Sequence, residues 1–510
     1  MPLPIAGGGP IDADVVVVGA GPAGCALAAR LSEDPARSVL LLEAGPAFTR
    51  ARDFPAEIRS ARSLAATDPA SPLNWAFTTE LAPGRHGPVP RGRIFGGSSA
   101  INAGYFVRGR PADFDGWAAA GNAIWSYDAV LPFFRRLEAD ADFGTLPGHG
   151  DAGPVPVRRV AAHDLHPASA AFAEACRDAG FAAEPDKNGA GAEGVGPVPL
   201  TVVDGTRVNA AMAYLLPHLD RPNLRVQGGS VVHRVLLAGR RATGVEVATG
   251  RTTRVIRADH VVLSAGAVKS PHLLMVSGIG PAAQLRAQGI EVHVDLPGVG
   301  QGSSDHPSVA VAFRSPPATG RAASSAVEVA LNDDDVEILC YTASFEQLVT
   351  GAGDGELALG VGLQRCEARG SMRLTSPDPD VPPQLSSHYL TSDVDRRRMR
   401  AAVRLAAALL ASAPFRRLGA SAPAEVDLGT DRALDAWVAQ NLSTSVHLSG
   451  TCRMGPDRDA GAVVDELCRV RGIEGLRVVD TSIMPTVTTR GPYATAIMIG
   501  ERASDLFAAP

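Results

Sequence analysis

The chain has 510 residues, with 48 lysines and arginines against 54 aspartates and glutamates, a formal net charge of -6 and 45% hydrophobic residues. Such a chain can bury the cores of two or more domains, and it lacks the basic excess that binding a nucleic acid requires. The six cysteines form no CxxC pair, which argues against zinc, iron–sulfur clusters and a disulfide framework. No apolar run is long enough to span a membrane, so a cytoplasmic location is expected, with peripheral membrane contact left open.

The first predicted elements form a βαβ unit. DVVVV is a β-branched run typical of a strand covered on both faces, GAGPAG follows it, CALAARLSE has helical spacing and SVLLLEAG is a second strand. Gly19, Gly21 and Gly24 form GxGxxG between strand and helix, and Glu43 ends the second strand. These glycines allow a tight turn, close approach of a pyrophosphate and packing of helix on strand, and the acid can bind ribose hydroxyls. The motif predicts a dinucleotide site without choosing between NAD and FAD.

The rest of the chain is expected to pass back and forth between two domains, since no internal repeat or low-complexity linker divides it. Its predicted segments, in chain order, are a loop-rich stretch over 49–90, helices over 112–137 and 168–179, a β meander over 224–266 that returns to the first sheet, mixed strands over 308–380 and an amphipathic helix over 391–413.

Four further motifs carry a family resemblance. RGRIFGGSSAINAG (Arg91 to Gly104) is by itself only a loop signal. It is joined by GAVKSPHLLMVSGIG (Gly266 to Gly280), HLSGTCRMG (His447 to Gly455) and the segment from Val478 to Asp505. Together, and in this order, these motifs resemble the glucose-methanol-choline (GMC) family of flavin oxidoreductases over essentially the whole chain. The resemblance implies a bound FAD.

The resemblance also implies the fold. An α/β (α+β mixed) architecture is expected, in which a Rossmann-like FAD-binding domain is interleaved with a substrate domain built on an antiparallel sheet. The expected boundaries are 1–155, 196–307 and 436–510 for the FAD-binding domain, and 156–195 and 308–435 for the substrate-binding domain. Some members attach FAD to a histidine where this chain has Ile101, so the flavin is expected to be non-covalent.

Cofactor contacts follow from the resemblance, residue by residue. The expected contacts are Gly19, Gly21, Pro22, Ala23, Gly24, Glu43, Ala44, Arg93, Gly96, Gly97, Ser98, Asn102, Ala103, Gly104, Val232, Ala265, Gly266, Asp480, Thr481, Pro492, Tyr493 and Ala494. Pro492 opens a predicted helix, whose N–H groups and dipole would lie near the flavin pyrimidine, where negative charge accumulates on reduction.

His447 is the candidate catalytic base. Its match in the family takes the hydroxyl proton while hydride leaves the same carbon for flavin N5, and an imidazole with a pKa of about 6.5 can hold that proton at neutral pH. A metal site would need more ligands than Cys452, and a nucleophilic Cys452 would need a stabilised thiolate; the sequence shows neither. His306, in SSDHPSV, matches a family position near the cofactor, but a packing role is expected for it. His149 is expected to be a solvated or packed loop residue.

The chain departs from the family at Gly491, where members usually carry a second histidine or an asparagine. The second polar role is then absent, supplied by a neighbour such as Arg490 or Tyr493, or supplied by the substrate. A glycine before Pro492 also fits a simple loop that leads into a helix.

These expectations predict an FAD-dependent oxidoreductase that removes a hydride from a CH–OH donor and passes electrons to a non-NAD acceptor. An alcohol or choline-type oxidase using O2, a flavin-containing hydroxynitrile lyase and a non-enzymatic redox partner are the alternatives. Segments such as DGTRVNAAMAYLLPHLDRPNL and TTRGPYATAIMIGER resemble the mycofactocin-associated dehydrogenases of the family. That narrower resemblance implies reduced mycofactocin as the donor and a respiratory electron acceptor.

Overall fold

The computed structural model describes residues 12–316, 323, 325–353, 355–421 and 428–507, so parts of both expected domains lie outside the described residues. The helices are α1 (Pro22–Leu31), α2 (Ala56–Arg59), α3 (Pro111–Ala119), α4 (Tyr127–Leu137), α5 (Pro167–Asp178), α6 (Ala210–Tyr214), α7 (Gly266–Val276), α8 (Ala282–Ala287), α9 (Phe345–Thr350), α10 (Asp393–Leu410), α11 (Ala413–Arg417), α12 (Asp431–Asn441) and α13 (Tyr493–Leu506).

The strands are β1 (Ala13–Val18), β2 (Val39–Leu42), β3 (Phe77–Ala82), β4 (Arg85–Val89), β5 (Glu138–Asp140), β6 (Val155–Val157), β7 (Val195–Pro197), β8 (Val202–Val203), β9 (Thr206–Arg207), β10 (Leu224–Gln227), β11 (Val231–Ala238), β12 (Arg241–Thr249), β13 (Thr252–Leu263), β14 (Ile279–Gly280), β15 (Val294–Asp295), β16 (Gln301–Ser303), β17 (Pro307–Phe313), β18 (Val327–Asp333), β19 (Val336–Tyr341), β20 (Leu357–Leu363), β21 (Gly370–Arg373), β22 (Gln384–Ser386), β23 (Ser443–Thr444) and β24 (Leu476–Val478).

β1 lies in the middle of a parallel sheet. It pairs with β2 on one side and with β13 on the other, β10 extends the sheet beyond β2 and β24 extends it beyond β13. Val16 and Val17 are 0% exposed, as expected for a strand covered on both faces. Helix α1 follows β1 directly and packs against α13. The predicted βαβ unit is confirmed, and the carboxyl ends of its strands lie at one edge of the sheet, where doubly wound folds bind ligands.

The predicted meander is also present. β11, β12 and β13 pair antiparallel in sequence, and the carboxyl half of β13 then joins β1 in parallel, with Val16 opposite Val261 and Val18 opposite Leu263. One long strand therefore belongs to both parts, which is why the meander returns to the first sheet. Among the described residues, no helix combines the length and the apolar character that crossing a bilayer requires.

A separate antiparallel sheet has the strand order β23-β17-β20-β19-β18-β7. Along its strands, Val309, Val311, Leu359 and Val361 point to one face, where they pack with residues of α5 and α10 in their own hydrophobic core. A larger core surrounds the parallel sheet. The mixed α/β fold class is thereby confirmed. The two cores support the division into an FAD-binding and a substrate-binding domain, while the exact boundaries stay a prediction.

The expectation of a loop over 49–90 is wrong in part. β3 and β4 form a hairpin there, and β3 pairs in parallel with β22 of a third sheet. Phe77, Thr79 and Leu81 are 5%, 3% and 1% exposed, so FTTELA carries the alternation of a half-buried strand. The prolines and charges of LAPGRHGP obscure this pattern, and Gly84 provides the left-handed turn residue with a φ of +74°.

His149 also differs from the simple loop residue expected from the sequence, because its ring is buried and bound by two carboxylates. It is 4% exposed, and its ring nitrogens lie 3.0 Å from Glu138 Oε1 and 2.9 Å from Asp186 Oδ2. Burial alone would lower the pKa of His149, but hydrogen bonds to carboxylates raise it to about 10. Of the described residues, Glu138, Asp140 and His149 could share a metal ion. The three carboxylates here belong to Glu138, Asp140 and Asp186. Their negative charges are already balanced by the guanidinium groups of Arg108 and Arg159 and by the His149 imidazolium.

We expect His149→Gln to lower stability most below about pH 6.5. Because the folded-state pKa lies above the ordinary value of about 6.5, the charged ring stabilises the fold fully below that pH, and this contribution is lost as the pH rises towards 10. The difference in urea midpoint between wild type and variant should therefore shrink from pH 6.5 to pH 10. His163→Gln, whose parent side chain is 84% exposed, is the matched control. A pH-independent difference would remove the charge from the explanation.

Candidate active site

The first glycine loop connects β1 to α1 at the carboxyl edge of the parallel sheet. Gly19 has a φ of +103°, which other residues rarely adopt, and a Cβ on Gly24 would lie 2.0 Å from the Gly19 carbonyl oxygen. A Cβ on Gly21, in contrast, would meet only the Ser264 carbonyl oxygen, at 3.9 Å. The amino end of α1 has no side-chain cap. Bare backbone and an uncapped helix start are what a phosphate group needs at this position.

Glu43 lies at the end of β2 and is 5% exposed. Its Oε2 accepts a hydrogen bond from the Ala20 N–H at 2.9 Å, and its Oε1 accepts one from the Gly45 N–H at 2.8 Å. Burial raises the pKa of this carboxyl to about 7, against the opposing effect of these N–H groups. The carboxyl thus ties together the turns after β1 and β2. A carboxylate has about four acceptor positions, so two stay open for the ribose hydroxyls predicted as its partners.

The second glycine cluster lies against the first. The Gly96 N–H donates to the Ala20 carbonyl oxygen at 2.9 Å, and a Cβ on Gly97 would lie 2.7 Å from the Cα of Gly21. Two glycine-rich backbones separated in sequence therefore meet at one place. The other predicted contacts of this cluster lie in the same segment: Arg93, Ser98, Asn102, Ala103 and Gly104.

Asp480 joins the motif at Gly266 to Gly280 to the segment from Val478 to Asp505. Its Oδ2 accepts hydrogen bonds from the Gly266 N–H at 2.8 Å and from the Ser270 hydroxyl at 2.6 Å, and its Oδ1 accepts one from the Ser482 N–H at 2.8 Å. Burial raises the pKa of this carboxyl. The structure thereby brings the predicted contacts Ala265, Gly266, Asp480 and Thr481 together, next to the carboxyl end of β13.

These loops fit the dinucleotide that the sequence predicts. Buried polar atoms beside them have no hydrogen-bond partner in the described chain, namely Ser264 Oγ behind Gly24 and Asn209 Nδ2 beside Gly96. Native proteins leave few buried polar atoms unpaired, so a bound ligand is expected to complete them. Helix α13 begins at Tyr493 with Pro492 at its cap, as expected, and the Tyr493 ring packs edge-on against Phe106.

His447 follows a strained residue. Val446 has a φ of +65°, which is a clear outlier for a β-branched side chain. Three hydrogen bonds hold the loop: the His447 N–H to Asp305 Oδ1 at 2.7 Å, the Val446 N–H to Thr444 Oγ1 at 2.9 Å, and Arg91 Nη1 to the Val446 carbonyl oxygen at 2.9 Å. Such strain persists only where the surroundings over-determine the backbone, and it concentrates at functional sites.

The His447 ring is paired with His306. The two Nδ1 atoms lie 2.8 Å apart with the rings at 84°, so one nitrogen donates and the other accepts. In the tautomer in which His447 Nδ1 donates and His306 Nδ1 accepts, His447 Nε2 keeps its lone pair. His306 is therefore more than the packing residue expected from the sequence.

Both imidazoles are held neutral. Burial, followed by the proximity of His306 and Arg91, lowers the pKa of His447 well below its usual range, and burial lowers the pKa of His306 to about 4. Desolvation disfavours the charged form of a base, which explains the direction of both shifts. At neutral pH, His447 is thus available as a proton acceptor.

Gly491 lies next to Nε2 of His447. A Cβ at position 491 would be 3.4 Å from His447 Nε2 and 3.5 Å from its Cε1. The neighbouring Thr489 N–H donates to Asp113 Oδ2 at 2.9 Å, which anchors the loop on α3. Where the family usually places a second polar side chain, this chain leaves space beside His447 Nε2.

Arg490 does not fill that space. It is 3% exposed, its Nη2 lies 2.8 Å from Glu184 Oε1, and its Nη1 donates to the Lys187 carbonyl oxygen at 2.7 Å. The guanidinium group is therefore occupied by the segment around 184–193. We revise the expectation of a catalytic Arg490 to an anchor for the loop that carries Gly491.

Comparison with known proteins identifies the family. Models described as GMC oxidoreductase match residues 13–308 and 366–500. The chain belongs to the GMC oxidoreductase family. It is 45% identical to an uncharacterized GMC-type oxidoreductase in the thcA 5' region of Rhodococcus erythropolis, covering 96% of this chain and 97% of the relative. It is 36% identical to the oxygen-dependent choline dehydrogenase of Brucella anthropi, covering 97% and 95%.

A solved relative gives the same result. The crystal structure of pyridoxine 4-oxidase from Mesorbium loti superposes with a TM-score of 0.88 at 32% identity, covering 98% of this chain and 99% of the other. GMC oxidoreductases are FAD-binding enzymes that act on alcohol-type donors, so the expected family, cofactor and coarse activity are confirmed. The individual contacts of this GMC oxidoreductase with FAD stay predictions. That the FAD is not covalently bound also stays a prediction; it depends on Ile101, whose side chain has no nucleophilic atom.

Thiol chemistry is disfavoured in this GMC oxidoreductase. Cys452 is 0% exposed, and burial raises the pKa of its thiol well above the usual value. A protonated, enclosed thiol is a poor nucleophile and a poor metal ligand.

Asp305 is a residue of this site that the sequence did not reveal. It accepts hydrogen bonds from the backbone N–H groups of both His306 and His447. Its only sequence signal is its place beside His306 in SSDHPSV.

Proposed function

We propose that this GMC oxidoreductase is a dehydrogenase that removes a hydride from a CH–OH donor, with His447 Nε2 as the base for the hydroxyl proton and with electrons passed to a non-NAD acceptor. The observation that supports it most is the position of His447 Nε2, which lies 3.4 Å from where a Cβ on Gly491 would be, in a ring that burial keeps neutral. FAD, when bound, supplies the acceptor for the hydride that leaves the donor carbon.

The protein's own groups prepare the proton transfer. Asp305 holds the backbone of both histidines, so the two rings keep a fixed separation. His306 accepts the Nδ1–H of His447, which selects the tautomer with a free Nε2 and stabilises the imidazolium after the proton has moved.

Reduced mycofactocin is the donor we propose first, with the respiratory chain as the acceptor. The support is the resemblance of segments such as TTRGPYATAIMIGER to mycofactocin-associated dehydrogenases and the 45% identity to a Rhodococcus relative. The test is anaerobic flavin reduction with reduced mycofactocin, aryl alcohols, sugars and choline as donors. Bleaching by a donor, with no peroxide formed in air, is expected. Peroxide at the rate of donor oxidation would make the enzyme an oxidase, and cyanohydrin cleavage without bleaching would make it a lyase.

We expect His306→Leu to slow flavin reduction by roughly fivefold or more, because the loss of one hydrogen bond to the base is worth about 1 kcal/mol or more. His306→Gln keeps an acceptor and should recover part of the rate. Stopped-flow reduction over a range of pH measures both variants, and the pH profile should move with His306→Leu as the His447 tautomer is released. Equal rates of flavin reduction and equal pH profiles in His306→Leu and His306→Gln would show that His306 has a packing role only.

A further inference from the structure

The antiparallel sheet has one face made of very small residues. Its other face packs against α5 and α10 through Val309, Val311, Leu359 and Val361. On the free face, the residues of β17 and β20 lie in register as three cross-strand pairs: Ser308 with Gly362, Ala310 with Gly360 and Ala312 with Ala358. Ser308, Ala310, Ala312 and Gly360 are partly exposed. This small-residue face therefore borders open space.

The small-residue face begins at the catalytic histidine. β23, which leads into the His447 loop, pairs with the start of β17, and a Cβ on Gly362 would lie 3.4 Å from Ser445 Oγ. On the far side, β19 carries Tyr341, which packs against the same small cluster as Ala103 of the second glycine loop. The Tyr341 ring lies over Gly360, since a Cβ there would be 2.8 Å from Tyr341 Cε2. The part of the face that carries no bulky side chain is therefore β17, with Ser308, Ala310 and Ala312.

The carboxylates near this face already have partners. Asp305 accepts from the His447 N–H at 2.7 Å and from Thr444 Oγ1 at 2.9 Å. Glu337 accepts from the Tyr105 hydroxyl and from Asn332 Nδ2, each at 3.2 Å. In the fully described strands β17 and β20, no charged side chain lies on this face. Recognition of a compact cation would need a free carboxylate or an aromatic cage here.

One polar side chain at this face lacks a partner. Gln364 follows β20 directly, is 2% exposed, and neither its amide nitrogen nor its amide oxygen has a hydrogen-bond partner in the described chain. A Cβ on Gly362 would lie 3.2 Å from Gln364 Nε2, so the amide is folded over the small-residue face next to the segment that carries His447. A buried amide without partners is costly, which points to a bound polar group.

We propose that the donor is a bulky, uncharged alcohol whose framework lies along Ser308, Ala310 and Ala312, and whose polar substituent is bound by Gln364. Gly491 contributes to the same result, because it leaves room beside His447 for a branched carbinol. This inference rests on the proposed function and narrows its substrate class.

Binding of inert probes to the FAD-loaded enzyme tests the substrate class without turnover. 2-Naphthamide is bulky and uncharged, tetramethylammonium is a compact cation, and neither has an oxidisable hydroxyl. Perturbation of the flavin spectrum should show 2-naphthamide binding at least tenfold more tightly. Equal affinities, the reverse order or no binding of either probe would overturn the proposal. If the probes bind as expected but no alcohol bleaches the flavin, the proposed function is contradicted, while the proposed ligand site on the small-residue face is supported.

Two substitutions locate the ligand. Ala310→Phe should weaken 2-naphthamide binding at least tenfold, whereas Ala401→Phe, on the exposed side of α10, should leave it unchanged. Gln364→Met keeps the length of the side chain and removes its hydrogen bonds. It should weaken binding of 2-naphthamide at least threefold but not that of 2-methylnaphthalene, which has no amide. Equal losses for both compounds, or no effect of Ala310→Phe, would contradict the assignment.

Discussion

His447→Ala is expected to retain FAD and to slow flavin reduction by the donor by about two or more powers of ten, the range that general-base assistance spans. The substitution removes the lone pair that faces Gly491 and leaves every residue of the glycine loops in place. Anaerobic stopped-flow absorbance measures the rate, and the flavin spectrum of the purified variant measures retention.

The control for this experiment is His86→Ala, since His86 is exposed and lies in the β3–β4 turn region. It should reduce its flavin at the wild-type rate. If His447→Ala does the same, His447 takes no part in the chemistry. If the variant loses FAD, the residue is needed for the fold of the cofactor site, and the assignment as a base is not supported.

Gly21→Ala is expected to leave the apoprotein as stable as wild type and to weaken FAD binding by at least tenfold. Gly21 has a φ of -76°, which alanine adopts readily, and the new methyl group would meet only the Ser264 carbonyl oxygen at 3.9 Å. The methyl group would therefore occupy only the side on which the pyrophosphate is predicted to lie. Thermal unfolding of the apoprotein and titration with FAD separate the two effects.

Gly24→Ala provides the contrast. Its methyl group would lie 2.0 Å from the Gly19 carbonyl oxygen, so the backbone must shift. The free energy of unfolding of the apoprotein should therefore fall by about 1 to 3 kcal/mol. Gly116→Ala, with nothing within 4 Å of the new atom, controls for the substitution itself. Normal FAD affinity in Gly21→Ala would show that the pyrophosphate does not approach this glycine, and an unstable Gly21→Ala apoprotein would make the motif a structural turn only.

The local elements were predictable because their signals lie within a few residues of each other. The β-branched run before Gly19, the glycine turn and the helix after it are specified by backbone sterics and by burial on both faces of β1. The sequence does not predict the hairpin of β3 and β4, although buried and exposed residues alternate along β3. Proline and glycine in the turn region favour a loop prediction there. Its pairing partner β22 lies far along the chain, so only tertiary structure reveals that β3 belongs to a sheet.

By itself, the sequence determined the family resemblance, the cofactor and the candidate base, because these depend on motifs that survive as short stretches. The tertiary structure decided what surrounds the base. His306, Asp305 and His447 meet only after two distant segments pair, and the pKa of His447 is lowered by its burial there and by the proximity of His306 and Arg91. That Gly491 leaves space next to Nε2 also required the fold. Hydrogen bonding and desolvation act through distance in space, which a linear sequence does not contain.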